Sequence, residues 1–390
     1  MYRKSMAEET FVRYASPNER RTIIRENLGY YNSVSVGAVY DFCNQQIDLG
    51  NPCSFYGALQ SCIQEHPSLS VVIKAQETDQ PYCERANTAD LEAHVIIGDE
   101  LRVAGPNSLD ETRALEAVLT SCVDASWLQE SDKPPWRILV YPLVLSPTQK
   151  SPRCFIAFSY SHGLGDGMSG IAFHRTFLKA MQPMKHTSAV SKIFKIPMQT
   201  TTPAFDTAER LPISWGYLLR PILAVMLPYS IANLFGFRAA ASTVDEGTWL
   251  GQRIFFEPEH SSTQIKLLEI DNSTLWKVLS TCKRNGTKFT GLLHQVVIRA
   301  LSKTIPESEA TNFAGVTAVN MRASIDVSQN EMGLYVTAHY AQLPREHGSG
   351  DLADISWRAA RSMTEEFAES AVNLTNQPIG LLRYAPSRLI

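Results

Sequence analysis

Charge is scarce in this 390-residue chain: charged side chains make up 19% of it, and 36 Lys and Arg against 39 Asp and Glu leave a formal net charge of -3. That balance offers no basic surface for phosphate backbones, so nucleic acid is not an expected partner. No Cys-x-x-Cys pair occurs among the seven cysteines, at positions 43, 53, 62, 83, 122, 154 and 282. Neither a zinc ribbon nor a disulfide scaffold is expected from such spacing. Met1 to Arg13 mixes Arg3, Lys4, Glu8 and Glu9 with few apolar residues, so it lacks the apolar stretch of a secretory signal. An intracellular, cytoplasmic location is the default expectation, and the Asn-x-Ser/Thr triplets at Asn272, Asn285 and Asn373 then carry no meaning. Long apolar runs are also missing. The longest uncharged run, Pro221 to Phe237, holds 17 residues and is broken by Pro228 and Gly236, short of what a spanning helix requires. Two readings of residues 221–237 stay open: a buried connecting segment, or a helix in peripheral contact with a membrane.

What is present is ample apolar material. Hydrophobic residues are 44% of the chain, which excludes disorder throughout, and the length suits two domains. From about Pro17 to Val144, helical stretches such as Phe55–Glu65 alternate with strand-like runs such as Ser70–Lys74. Trp136–Leu145 and Arg153–Ser161 read as two strands around a polar, proline-bounded hairpin loop. Period-two alternation sets Ile156, Phe158 and Tyr160 on one face, and His162 with them if the extended geometry persists. Met168–Gln182 then repeats Ile171, Phe173, Phe177, Leu178 and Met181 at helical spacing. Further on, strands are expected at Gln252–Glu257 and Val316–Asn320 and helices at Asp271–Arg284 and Phe289–Ile305. The expected organisation is an N-terminal unit over residues 1–182, a connecting segment over 183–247 and a C-terminal unit over 248–390, in a mixed α/β (α+β) fold. No internal repeat or low-complexity segment stands out.

The chemistry concentrates in Ser161–Gly170, S-H-G-L-G-D-G-M-S-G. Gly165, Gly167 and Gly170 satisfy G-x-G-x-x-G between a strand and a helix. Asp166 would then sit inside a pyrophosphate-binding loop, and no Asp or Glu follows before Asp206 to hold a ribose, so a dinucleotide site is rejected. Gly167, Ser169 and Gly170 miss the nucleophile-elbow spacing by one residue.

The third pattern, His162-x-x-x-Asp166-Gly167, resembles the superfamily of CoA-dependent acyltransferases with the chloramphenicol-acetyltransferase-like fold, and within it the alcohol acetyltransferases. Pro135-Trp136-Arg137 ahead of a strand, the aromatic strand Phe155–Tyr160, the segment His162–Gly170 and the later Phe289–Leu301 carry the resemblance, which runs from roughly residue 20 to 384. It implies two chloramphenicol-acetyltransferase-like domains with the active site at their interface. It also implies acyl-CoA, in particular acetyl-CoA, as co-substrate and a small alcohol as partner, with no metal and no bound redox cofactor. His162 would act as general base, a role suited to an imidazole that is largely neutral near pH 7. Asp166 would organise the loop rather than relay charge, and Gly163 and Gly167 would let the backbone turn sharply and substrates approach. His294 in its apolar run is expected to be a core histidine, and Trp136 and Trp249 packing residues.

The chain departs from the family pattern at two places. Ser161 stands where many relatives carry a second histidine. No counterpart of the family's carboxy-terminal motif is found before Ile390, so the second domain is expected to be shortened. Two alternatives follow: a catalytically inactive, ligand-binding relative, or an N-acyl or condensation-type transferase on the same fold.

Overall fold

The computed structural model describes residues 10–43, 46–102, 108–130, 132–144, 151–182, 190–235, 244–249, 251, 257, 262–346 and 356–385. A short strand β1 (Phe11–Tyr14) leads into helix α1 (Pro17–Asn27). Ser16 and Glu19 close a reciprocal capping box there, with Pro17 at the first helical position, the combination that starts a helix most sharply. Strand β2 (Val34–Asp41), helix α2 (Tyr56–Glu65) and strands β3 (Val71–Lys74), β4 (Tyr82–Arg85), β5 (Thr88–Asp90), β6 (Val95–Ile97) and β7 (Leu101–Arg102) follow. Then come α3 (Ser108–Asp124), the hairpin β8 (Trp136–Val144) and β9 (Arg153–Tyr160), and α4 (Gly167–Ala180).

β2, β9, β8 and β6 form the main sheet in that order, with β7 also on β8. Its central hairpin is antiparallel, Trp136 opposite Tyr160 and Ile138 opposite Phe158. β9 is buried beyond its first residue, because both faces of the sheet are covered. Ile156, Phe158 and Tyr160 point to a core shared with Leu59, Ile63, Phe173 and Phe177 of α2 and α4. Phe155 and Ala157 point the other way, to Val118 and Cys122 of α3. Alternate residues of one strand thereby serve two cores. Trp136 is a packing residue: fully buried, its Nε1 donates to the Leu69 carbonyl at 2.8 Å.

Beyond α4, β10 (Ile193–Lys195) pairs with β5, and α5 (Trp215–Met226) and α6 (Tyr229–Leu234) follow. Of the two readings of the apolar stretch, the wholly buried connection does not hold: Ala224 is buried, but most of its large apolar side chains are not. Met226 is 76% exposed and Leu234 81%, and Trp215, Leu219, Ile222 and Phe235 also face outward. Gly236 and Phe237 lie outside the described residues, as do 252–256 of the expected strand. No described helix is long and apolar enough to cross a membrane. The remaining elements are β11 (Thr248–Trp249), α7 (Asn272–Arg284), α8 (Phe289–Thr304), β12 (Asn312–Asn320), β13 (Val336–Pro344) and α9 (Trp357–Val372). β12 lies between β11 and β13, antiparallel to β13, and a 3₁₀ turn, Pro378–Tyr384, closes against β13.

Candidate active site

β9 stops at Tyr160, and the chain turns at once: the Leu164 amide donates to the Ser161 carbonyl at 3.0 Å. The extended geometry therefore does not reach His162, which leaves the sheet face occupied by Ile156, Phe158 and Tyr160. Its Nδ1 lies 2.9 Å from the Gly165 carbonyl oxygen. A carbonyl only accepts, so Nδ1 carries the proton and Nε2 keeps its lone pair. Burial holds the imidazole below its ordinary value of 6.5, and the positive charge of Arg21 acts in the same direction.

His162 borders a cleft of about 310 Å³. Val316 and Ala318 of β12 and Val336, Thr337, Ala338 and Tyr340 of β13 line it, joined by Ile379 and Leu382 of the 3₁₀ turn and by Arg21 of α1. Tyr31 packs on the His162 ring, centroids 5.3 Å apart, and itself lines a second cavity of about 240 Å³ with Ser33, Asp124 and Thr263.

Asp166 does not touch His162 in any described contact. It is the N-cap of α4, reciprocally bonded with Ser169. Its carboxylate also accepts from the Tyr335 amide at 3.1 Å and from both Arg322 terminal nitrogens, at 2.8 and 2.9 Å. The Asp166 amide in turn donates to the Gly333 carbonyl at 3.2 Å. A loop from the N-terminal half is thereby fastened to the turn before β13.

Ser161 meets a carboxyl group rather than a second histidine. Its hydroxyl donates to Glu26 of α1 at 2.6 Å and accepts from the Gly163 amide at 3.2 Å. Burial pushes the Glu26 carboxyl up to about 7, against hydrogen bonds from Ser161, Trp127 and Ser126 that favour its ionised form.

The two loop glycines have different reasons from the expected sharp turn. Neither is among the described glycines with positive φ. A Cβ on Gly163 would lie 2.7 Å from Ile23 and 3.1 Å from Ile73, so this glycine permits close packing on α1 and β3. A Cβ on Gly167 would meet nothing within 4 Å. His294 is half-buried and bonded to Thr317 at 2.8 Å.

Sequence reasoning missed Arg21, Glu26, Tyr31 and Arg322. The Ser16-Pro17-x-Glu19 capping signature could have revealed α1, which holds the first two; for Tyr31 and Arg322 no local signal exists.

A sequence profile of the alcohol acetyltransferase family matches residues 112–375. Among curated relatives, the protein of Fusarium pseudograminearum named "Probable alcohol acetyltransferase FCK4" is 21% identical over 84% of this chain and 66% of its own length. The protein of Aspergillus fumigatus named "Probable alcohol acetyltransferase crmB" is 21% identical over 87% and 70%. The present chain thus spans about two thirds of the length of these relatives. Among solved structures, the TRI3 trichothecene 15-O-acetyltransferase of Fusarium sporotrichioides superimposes with a TM-score of 0.57 at 12% identity, over 92% of this chain and 71% of that one. The architecture is the two-domain, chloramphenicol-acetyltransferase-like one. With the profile match covering more than half of its residues, the chain belongs to the alcohol acetyltransferase family.

Proposed function

We propose that this protein moves an acyl group, acetyl in the first instance, from acyl-CoA to the hydroxyl of a small, largely apolar alcohol or secondary metabolite, with His162 as general base. The observation that carries this reading is the bond from His162 Nδ1 to the Gly165 carbonyl, which leaves a basic Nε2 on a ring bordering an apolar cleft. Nε2 takes the alcohol proton as the alcohol oxygen bonds to the thioester carbonyl carbon. The tetrahedral adduct then expels the CoA thiolate, which recovers the proton from the imidazolium. The Gly165 carbonyl stabilises that imidazolium through Nδ1–H, while Asp166 holds the loop in position and its charge favours the imidazolium from a distance. Gly163 and Gly167 support the loop by close packing and by an open helix start. Residues 1–182, 183–247 and 248–390 serve as the two domains and their connector, and the outward apolar side chains of α5 and α6 rest on a membrane surface.

The test is release of free thiol from acetyl-CoA by the purified protein across a panel of alcohols, beside His162→Ala. Alcohol-dependent release that falls by about 10²- to 10⁴-fold in the variant supports the proposal. Alcohol-dependent release that survives the substitution refutes the base, and folded wild type that is silent on the panel refutes the activity.

A further inference from the structure

Arg21 is, among the described residues, the only side chain lining the His162 cleft that carries a formal charge at neutral pH. Among the described residues it makes no ion pair, and its Nε is shut off from solvent without a hydrogen-bond partner. Asp206, which accepts from the Asn18 amide at 2.7 Å, attracts it through space without a direct hydrogen bond among the described contacts. The cleft walls are otherwise dominated by Val316, Ala318, Val336, Ala338, Ile379 and Leu382. A guanidinium half-removed from water beside apolar walls, with Asp206 acting on it only through space, is stabilised when a ligand brings an anion into direct contact.

An anion in contact with Arg21 has three sources: the oxyanion of the reaction, the phosphates of CoA, or the acceptor. The oxyanion is the weakest. It forms together with a His162 imidazolium, so the reacting pair is neutral overall, and a cation that faces both members attracts one while repelling the other. The phosphates are separated from the thioester by the whole pantetheine arm, whereas Arg21 shares one small cleft with the base that must reach the thioester carbon. A permanent anion on the acceptor meets neither objection: it keeps its full charge before and during the reaction, and the low-polarity walls strengthen the attraction.

We propose that Arg21 is a specificity residue, and that the acceptor is an apolar hydroxy compound bearing a carboxylate-class anion, which Arg21 holds while the hydroxyl lies at His162. This rests on the acyl-transfer reading for the hydroxyl, and on the cleft alone for the anion.

Binding separates the two. Decanoate, 1-decanol and CoA would be titrated against wild type, Arg21→Gln, Arg21→Lys and His162→Ala, each checked for an unchanged thermal transition. The expected result is that Arg21→Gln weakens decanoate by about tenfold or more, that Arg21→Lys recovers part of this, and that 1-decanol and CoA bind wild type and both Arg21 variants alike. Decanoate should bind His162→Ala like wild type. Equal decanoate affinity in wild type and Arg21→Gln overturns the inference, and so does a loss shared with CoA, which would put Arg21 on the donor side. In turnover, Arg21→Gln should raise KM for 10-hydroxydecanoate and leave that for its methyl ester unchanged. An equal fall in kcat on both acceptors, with KM unchanged, overturns the assignment in favour of an oxyanion role. Silent turnover with Arg21-dependent decanoate binding intact would count against acyl transfer while supporting the anion site.

Discussion

Arg322 grips both carboxylate oxygens of Asp166, at 2.8 and 2.9 Å, across 156 residues of sequence. Both side chains are buried, Arg322 completely. The guanidinium also donates to the Glu331 carbonyl through Nε at 3.0 Å and stacks on Tyr335 at 4.8 Å. The aspartate of the motif is thus the point at which the His162 loop is tied to the β12–β13 hairpin.

Removing either partner leaves the other charge buried and unpaired. Asp166→Ala and Arg322→Met are each expected to cost about 3–5 kcal/mol, and the double substitution clearly less than their sum. Urea unfolding of the four forms measures the coupling; single-variant losses under about 1 kcal/mol would contradict a tie of this kind.

The pH dependence of the reaction should follow His162. Its neutral form is the base, and burial holds its pKa below 6.5. Activity should therefore persist as pH falls to 6.5 and decline only below it. A kcat/KM profile with its acid limb centred above 6.5 would point to a different titrating group.

Glu26 should make stability fall with rising pH. Its carboxyl is raised from 4.5 to about 7 in the folded chain, so between those values the folded state holds a proton that the unfolded state has released. The slope of stability with pH is negative there. Glu26→Gln should remove this slope, gaining on wild type by up to about 3 kcal/mol between pH 4.5 and neutrality. Parallel denaturation curves at pH 5 and 8 read the difference, and an identical pH response in both proteins would rule the assignment out.

The two loop glycines should respond unequally to alanine. At Gly163 the new methyl meets Ile23 at 2.7 Å, an overpacking expected to cost about 1–3 kcal/mol. At Gly167 it meets nothing, and stability should stay within about 0.5 kcal/mol. Thermal shift assays rank the pair; a larger loss at Gly167 would reverse the packing argument.

The outward side chains of α5 and α6 predict co-sedimentation with phosphatidylcholine vesicles. Replacing Trp215, Met226 and Leu234 together by serine should lower the bound fraction several-fold, given the apolar area removed. Wild type that stays wholly in the supernatant would discard the membrane contact.

Strand β9, its hairpin partner and α4 are legible in sequence because their side chains keep strict periods of two and about 3.6 while serving cores on fixed faces. Helix α1 is not legible in that way. Its buried positions include Asn18, Glu19, Thr22 and Glu26 beside Ile23, held by hydrogen bonds that hydrophobic periodicity does not register. β13 escapes for a related reason: it presents Val336, Ala338 and Tyr340 to a cleft rather than to a packed core.

The sequence by itself determined the strand–loop–helix unit and the position of His162 just past a buried strand, since each follows from neighbours within a few positions. Tertiary structure alone decided what those residues meet. Arg322 reaches Asp166 from 156 residues away and Glu26 reaches Ser161 from 135, and Arg21 comes to share a cleft with His162. Such pairings depend on how two sheets and a helix pack, and a local pattern holds no record of which distant charge will fill a buried hydrogen-bonding need.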